Sequence, residues 1–341
     1  MSPKNLNATN KTHKFLFNKL KDKRTLQIYN KFENNLNINK NFIVAVSGGP
    51  DSLALSFLTK IYSIKKSLDV RYFIVDHKLR NNSTSEAKNV QKNLKTFLIN
   101  LNILTWKGIK PKKNIQSIAR DKRYELLINK AKKLKMNNIL LGHHLDDLFE
   151  NFFIRILRGS GLNGLISLDK KTQNNNINII RPLLNFKKKD LIYISKYIFG
   201  FFVEDPSNEN DKFKRVKIRS FLKNLETEGL DKKKFLLTIN NLKFSNETIK
   251  FYTKKNLLQN TYFSEKKKLI ILKESFFHHS AEVIFRSFTD VIKIVGKKYY
   301  PVRGKKIDSI IQLINNKSYF KVTLGGCVIK KINQTVIVSK E

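Results

Sequence analysis

The chain is short of three things. It has one cysteine, Cys327, in 341 residues, which excludes a disulfide scaffold, a cysteine-cluster zinc site and a CxxC redox pair. It has no long hydrophobic run: the longest, such as residues 42–46, are of strand length and far too short to cross a bilayer. The first 25 residues are polar and rich in Lys and Asn, without an apolar stretch. No signal peptide is therefore expected, no membrane partner either, and a cytoplasmic location follows. It is also short of acid, with 27 Asp+Glu against 67 Lys+Arg and a formal charge of +40.

That excess points to a polyanionic partner, although a Lys- and Asn-rich composition produces the same excess on any exposed surface. Arginine discriminates better. There are 12 Arg to 55 Lys, and seven of the 12 (Arg120, Arg123, Arg155, Arg158, Arg181, Arg215 and Arg219) fall within residues 120–219. A chain that uses Lys for any point charge keeps Arg where a flat, two-pronged donor is needed, as at phosphate and carboxylate sites. What the chain has in quantity is apolar: 41% hydrophobic and 11% aromatic residues, enough for a sizeable core and too much for disorder. Its length is that of two domains.

Apolar patterning supplies the elements. Residues 42–46 (FIVAV) predict a buried strand, followed by the turn SGGP and a helical stretch, DSLALSFLTKIYSIKK. Strands are predicted at 70–77, 103–107, in NNILLGHH and at 177–183, with helices at 85–100, 115–135, 146–158 and 188–199. Asn-rich residues 173–178 read as a surface loop. Strands alternating with helices predict an α/β, doubly wound parallel sheet, whose ligands sit beyond the carboxyl ends of the strands. Residues 47–52, 76–77 and 142–144 fall at those ends. Beyond about residue 225 the pattern changes to Lys-rich helical text and then a hairpin-rich finish, a smaller α+β domain. The expected domains are 1–225 and 226–341, without internal repeats.

Two strings carry chemistry. In SGGPDS, residues 47–52, Gly48 and Gly49 let the backbone approach an anion, and the helix that starts after them aims free N–H groups at it. Ser47 and Ser52 add hydroxyls, and Asp51 suits a phosphate site when a divalent cation bridges the two. The string is not GxxxxGK(S/T). In LGHHLDDLFE, Asp147 and Glu150 are three apart and share a helix face, with Asp146 four from Glu150. Acids at a helix N-terminus complement its dipole. Clustered beside a phosphate loop they also repel, by roughly 4 kcal/mol for a pair ~4 Å apart at an effective dielectric of ~20, and a cation offsets that: Mg²⁺ or a substrate ammonium. Adjacent histidines rarely face one ion, so His143 and His144 are assigned to shaping a nucleotide pocket or capping the strand.

SGGPDS resembles the pyrophosphate loop of the N-type ATP pyrophosphatases, the PP-loop superfamily. The series SGGPDS, VDHKLR, SIARDKRYELL, LGHHLDDLFENFFIRILRGSGLNGL, RPLL and VEDPSNENDKFKRVKIR, spread over residues 42–219, is similar within it to the tRNA(Ile)-lysidine synthase family. The C-terminal KKYYPVRGKKIDSIIQL…GGCVIKKINQTVIV is weakly similar to that family's first C-terminal domain, and the further domain of longer members is expected to be absent. The family has Gly where Lys78 stands, Thr where Asn151 stands and Asn where Val216 stands.

The resemblance implies an adenine nucleotide hydrolase-like sheet, with 1–225 as the catalytic domain and 226–341 binding tRNA. It implies ATP-dependent ligation of free L-lysine to carbon 2 of the wobble cytidine of tRNA(Ile) with a CAU anticodon. The cytidine is first adenylated on oxygen 2, and lysidine, AMP and pyrophosphate result. ATP and Mg²⁺ are the implied cofactors. Ser47, Gly48, Gly49, Pro50, Asp51, Ser52, Asp76, His77, Gly142 and His143 are the implied ATP site, with Asp51 near the Mg²⁺. Asp147 and Glu150 match the pair that recognises lysine and accepts its proton, and Arg215 or Arg219 offsets phosphate charge. A homodimer is left open. The superfamily's sulfur-transfer enzymes need cysteines that Cys327 does not supply, and its amidotransferases carry a glutaminase domain for which there is no N-terminal room. A non-catalytic RNA-binding module conflicts with intact SGGPDS and DDLFE.

Overall fold

The computed structural model describes residues 13–108, 111, 113–174, 176–204, 214–265, 268–297 and 302–341. The chain divides into two compact units, Met1–Leu230 and Asp231–Glu341. The division falls beyond residue 225 because a helix, α8 (Lys214–Thr227), runs through that position.

The first unit is built on a six-stranded sheet of order β3-β2-β1-β4-β6-β5, with β1 Phe42–Val46, β2 Val70–Asp76, β3 Leu101–Thr105, β4 Asn138–Leu140, β5 Lys171–Asn174 and β6 Ile177–Ile180. The FIVAV run has no polar member because both faces of β1 are covered. Phe42, Val44 and Val46 point into one core cluster and Ile43 into another. Strands β3, β2, β1, β4 and β6 are mutually parallel. Residues 171–174, part of them expected to be loop, instead form an antiparallel edge strand on β6, with Asn176 at φ 63° taking the turn. Asn tolerates that left-handed conformation.

The helices of this unit include α1 Lys23–Asn35, α2 Pro50–Lys65, α3 Ser83–Lys95, α4 Ile115–Lys133, α5 Leu145–Ile156, α6 Leu162–Leu165, α7 Lys188–Phe199 and α8. α2 buries nearly every side chain from Ser52 to Ser63, the pattern of a helix enclosed on all sides. α1, in the polar-looking N-terminal stretch, lays Ile28, Tyr29 and Phe32 into the main core, and Asp22 caps it by accepting from the Thr25 N–H at 2.7 Å. The chain steps outward from β1 to β2 and β3, then returns to place β4 on the other side of β1. The crevice beyond the ends of β1 and β4 is thus the topological switch point, where such sheets hold ligands.

The second unit has an antiparallel sheet of order β7-β8-β11-β10-β9 (β7 Thr261–Ser264, β8 Leu269–Leu272, β9 Tyr319–Leu324, β10 Cys327–Ile332, β11 Thr335–Lys340). Gly325 and Gly326, at φ 64° and 79°, make the two-residue turn between β9 and β10. The 16-residue α10 (Ala281–Gly296) places Phe288, Val291, Ile292 and Val295 in this unit's core, and α11 (Gly304–Asn316) adds Ile307, Ile310 and Ile314. The 29-residue α9 (Lys232–Asn260) has an inverted pattern. It buries Ile239, Asn246, Thr253 and Asn256, while Leu237, Phe244, Phe251 and Leu258, each seven residues on, are 59–72% exposed. Asn256 Nδ2 donates to the Phe276 carbonyl at 3.1 Å and to Ser287 Oγ at 3.2 Å, and Arg286 Nη1 donates to Asn246 Oδ1 at 2.7 Å. No helix among the described residues is long and apolar enough to cross a membrane.

Candidate active site

Three loops leave the switch-point edge. The first follows β1. Gly48 sits at φ +84°, a left-handed conformation that glycine adopts without cost. A Cβ there would meet Val90 Cγ2 at 2.8 Å and Val203 Cγ2 at 3.0 Å, and the Gly48 carbonyl accepts the Val203 N–H at 2.9 Å. Gly49 is the N-cap of α2 and Pro50 its first residue, a position where proline's missing N–H costs nothing. Ser52 Oγ accepts the Ser47 N–H at 3.0 Å and lies 3.0 Å from the Gly49 carbonyl, to which it donates. Ser52 therefore folds the loop on itself and also accepts the Ser47 hydroxyl at 3.1 Å, a contact that the exposed Ser47 would exchange for an anion at the helix N-terminus.

The second loop follows β2. Asp76 is 2% exposed and accepts from the Lys78 N–H at 2.9 Å, Ser83 Oγ at 2.8 Å and Thr84 Oγ1 at 2.6 Å. Burial pushes its carboxyl up, but these donors outweigh it and hold Asp76 below the usual range. Its stabilisation is thus present above the unfolded value of about 3.9 and is lost as pH falls through the lower folded value. Asp76→Ala is expected to lower stability by about 2–3 kcal/mol and to flatten its acid dependence, measured by urea unfolding between pH 7 and pH 3. Lys78 has φ +51°, a left-handed conformation that glycine adopts more readily. His77 is pushed down to about 4, by burial first and then by Arg123, whose Nε lies 3.5 Å from His77 Nε2.

The third loop follows β4. A Cβ on Gly142 would stand 3.1 Å from the Asp51 carbonyl and 3.2 Å from the Ser52 nitrogen, so only glycine lets this loop lie against the start of α2. His143 is pushed down to about 3 by burial, with Arg181, Arg120 and Arg215 adding to it and Asp147 opposing. It is neutral at pH 7. His144 caps a helix, not the strand: its Nδ1 accepts the Asp146 N–H at 3.2 Å, and Asp147 Oδ2 accepts the His144 N–H at 3.0 Å. This reciprocal box fixes the start of α5.

Asp147 and Glu150 follow on that helix. Burial would raise Asp147, yet the His144 and His143 imidazoles, the His144 N–H and Arg215 hold it low. The N–H and Arg215 act even while both imidazoles are neutral. Glu150 is 2% exposed and pairs with Arg219, Nε to Oε1 at 2.6 Å. Burial pushes its carboxyl up and Arg219 only partly restores it. Glu150 Oε2 and Asp51 Oδ1 are buried without a hydrogen-bond partner among the described residues. Asp51 is raised, by burial first and then by Asp147 against the pull of His144.

The loops enclose two adjoining cavities. One, of about 190 Å³, is lined by Ser47, Asp51, Ser52, Gly142, His143 and Asp147, with Arg120 and Arg123. The other, of about 970 Å³, shares Ser47, Arg120 and Arg123 and extends over Asp76, His77, Arg155, Arg158, Arg215 and Arg219. Six of the seven clustered arginines line it, and Arg80 joins them. Arg181 does not: it is buried and donates to the Asp169 carbonyl at 2.8 Å and Thr172 Oγ1 at 3.0 Å. Burial and then the Arg158 and Arg120 guanidiniums press Arg155 below its ordinary value, the electrostatic condition of a cluster shaped for an anion. Gly48, Gly49, Pro50 and Glu150 line neither cavity. Of the string at 203–219, residues 205–213 lie outside the described residues.

A glycine loop at the switch point, feeding a helix N-terminus and facing arginines, defines an ATP-binding PP-loop protein, and residues 19–226 match the PP-loop domain family. The fold is shared with a U34-tRNA thiolase, NcsA, of Methanococcus maripaludis, solved with its [4Fe-4S] cluster, at a TM-score of 0.57 over 66% of this chain and 79% of that one, with 16% identity. The chain is 34% identical over 318 residues to a tRNA(Ile)-lysidine synthase of Orientia tsutsugamushi, covering 89% of this chain and 70% of the relative. It is 31% identical over 334 residues to one of Rickettsia felis, covering 92% and 74%. The chain belongs to the tRNA(Ile)-lysidine synthase family and is a ligase.

Proposed function

We propose that the protein forms lysidine on a tRNA(Ile) with a CAU anticodon, joining free L-lysine to carbon 2 of the wobble cytidine at the expense of ATP. The observation that carries the reading is the shared wall: Ser47 and Asp51 of the glycine loop and Asp147 of the acidic helix line one cavity.

A pyrimidine carbonyl oxygen is a poor leaving group. Attack of the cytidine oxygen 2 on the α-phosphorus of ATP expels pyrophosphate and turns that oxygen into part of AMP, a good one. The loop N–H groups, the Ser47 hydroxyl and the N-terminus of α2 receive the departing pyrophosphate. An amine of lysine then attacks carbon 2, the carbon–oxygen bond breaks and AMP leaves. The proton released from the amine passes to Asp147 or Glu150. Asp147, held ionised, suits the ammonium. Arg219 is engaged with Glu150, which leaves Arg215, on the cavity wall, as the guanidinium for phosphate charge. The cytidine has to leave the anticodon stack to enter, and the basic surface grips the tRNA backbone in a salt-dependent way.

Asp51 suits Mg²⁺: it is an oxygen ligand with one buried oxygen that has no partner among the described residues. No group of three His, Cys, Asp or Glu among the described residues could hold a metal, so the ion would be shared with the triphosphate. When bound, it would neutralise charge on the phosphates. Cysteine-dependent sulfur transfer finds no support, since the Cys327 thiol is fully buried and pushed up to about 11, mainly by burial.

The test is mass analysis of a CAU-anticodon tRNA after incubation with protein, ATP-Mg²⁺ and labelled lysine. The expected outcome is one lysine per tRNA at the wobble base, with pyrophosphate released only when tRNA is present. Pyrophosphate release without lysine incorporation would remove the assignment.

A further inference from the structure

His144 stands where the two halves of the site meet. Its side chain is 5% exposed. Its Nδ1 accepts the Asp146 backbone N–H at 3.2 Å. A backbone amide is only a donor, so Nδ1 carries no proton and the ring's hydrogen is on Nε2. That Nε2 lies 3.6 Å from Asp51 Oδ2 and 3.6 Å from Asp147 Oδ2. Neither distance is a formed hydrogen bond; Nε2 lies equally far from a carboxylate oxygen of each. Asp51 belongs to the first turn of α2, Asp147 to the first turn of α5.

The cap and the bridge are therefore two functions of one ring. Its Nδ1 edge sets the start of α5, while the backbone N–H of the same residue holds the Asp147 carboxyl. Its Nε2 edge separates two like charges that would otherwise face each other across a gap. Gly142 lets the two loops approach closely, since a Cβ there would stand 3.1 Å from the Asp51 carbonyl.

We propose that His144 is a positioning residue for the ligation, its Nε2–H holding Asp51 of the phosphate loop and Asp147 of the acidic helix at one spacing. This rests on the reading that Asp147 receives lysine beside the phosphates. His144 lines neither cavity. It keeps the amine pocket in register with the phosphate loop, and a displacement of about 1 Å between reacting partners costs on the order of 10²-fold in rate.

Two near-isosteres separate the edges. His144→Asn puts an amide oxygen near the Nδ1 position and remains a good N-cap, but lacks the Nε2–H. His144→Gln reaches the Nε2 position with an N–H and loses the cap. The readouts are thermal midpoint, kcat and KM for lysine in labelled-lysine incorporation, and the midpoint shift produced by ATP-Mg²⁺ alone. For His144→Asn the expected result is a midpoint within about 2 °C of wild type, a fall in kcat of about 10²-fold and a raised KM for lysine. For His144→Gln it is a midpoint lower by about 2–4 °C, with kcat within about threefold of wild type. Wild-type kcat and KM in His144→Asn would overturn the proposal. So would losses of kcat that follow the midpoint in both variants, since these would reduce His144 to a cap. A wild-type protein that incorporates no lysine would instead remove the function itself. In that case an unchanged ATP-Mg²⁺ midpoint shift in His144→Asn would also overturn the positioning role, and a smaller one would support it.

Discussion

Glu150→Gln is expected to lower lysine incorporation by about 10²–10⁴-fold, the range of a lost acid–base group, while leaving the protein as stable as wild type or more so. Glu150 is almost wholly buried, with one oxygen on Arg219 and the other without a partner among the described residues. Burial raises its carboxyl above the usual range against the pull of Arg219. An acid with a raised folded value contributes stability below its unfolded value, and that contribution is lost as pH rises through the folded one. At neutral pH the ionised Glu150 is thus a burden on folding, and an uncharged amide relieves it. Arg219, with 31% of its side chain exposed, reaches water when its partner is neutral. Asp147→Asn should behave differently. Asp147 is held low, so its surroundings favour the charge, and the amide loses both turnover and stability. Parallel urea unfolding and labelled-lysine assays of the two variants check this. Full incorporation by both would remove the acids from the reaction.

Gly48→Ala is expected to abolish most ATP-dependent pyrophosphate release, by more than about 10²-fold, and to lower stability by about 1–3 kcal/mol. The added methyl meets Val90 and Val203 side chains at 2.8 and 3.0 Å, in a backbone conformation at φ +84° that L residues rarely adopt. Gly49→Ala is the control. Its nearest neighbour would be Ser47 Oγ at 3.7 Å and its φ is −71°, so the fold accepts it. A loss in Gly49→Ala without loss of stability would report crowding of the bound phosphates. Equal, small effects in both variants would show that the loop does not cradle the triphosphate.

Much of this site was legible because its parts are local. SGGPDS, HLDD and the strands before them sit within a few residues of each other, and the period-two and all-apolar runs place them at strand ends. What was not legible depends on distant partners. The β5 edge strand was hidden because Lys171–Asn174 is polar and exposed, and only its pairing with β6 makes it a strand. α1 was hidden in Lys- and Asn-rich text, since its few apolar residues make sense only against a core supplied by β1 and α2. Asp76 reads as a ligand by position, yet three donors from the following turn occupy it. Arg181 reads like its neighbours in composition, yet it is enclosed by a carbonyl and a hydroxyl of its own unit. Arg120 and Arg123 could have been assigned to the site from their place in SIARDKR. His144 could not, because the sequence does not say which way a ring turns.

The reversed pattern of α9 has a mechanical consequence. A helix held only by oily contacts can roll about its axis to hide whatever is unfavourable on the other side. α9 cannot, because Asn246 is fastened to Arg286, and Asn256 to Ser287 and the Phe276 carbonyl. Amide bonds of this kind are directional, and a roll that turned Phe244 and Phe251 inward would break them and leave several polar groups stranded without water. The asparagines thus act as a ratchet pawl: they spend little on stability and fix rotation instead, which keeps the phenylalanines on the outside.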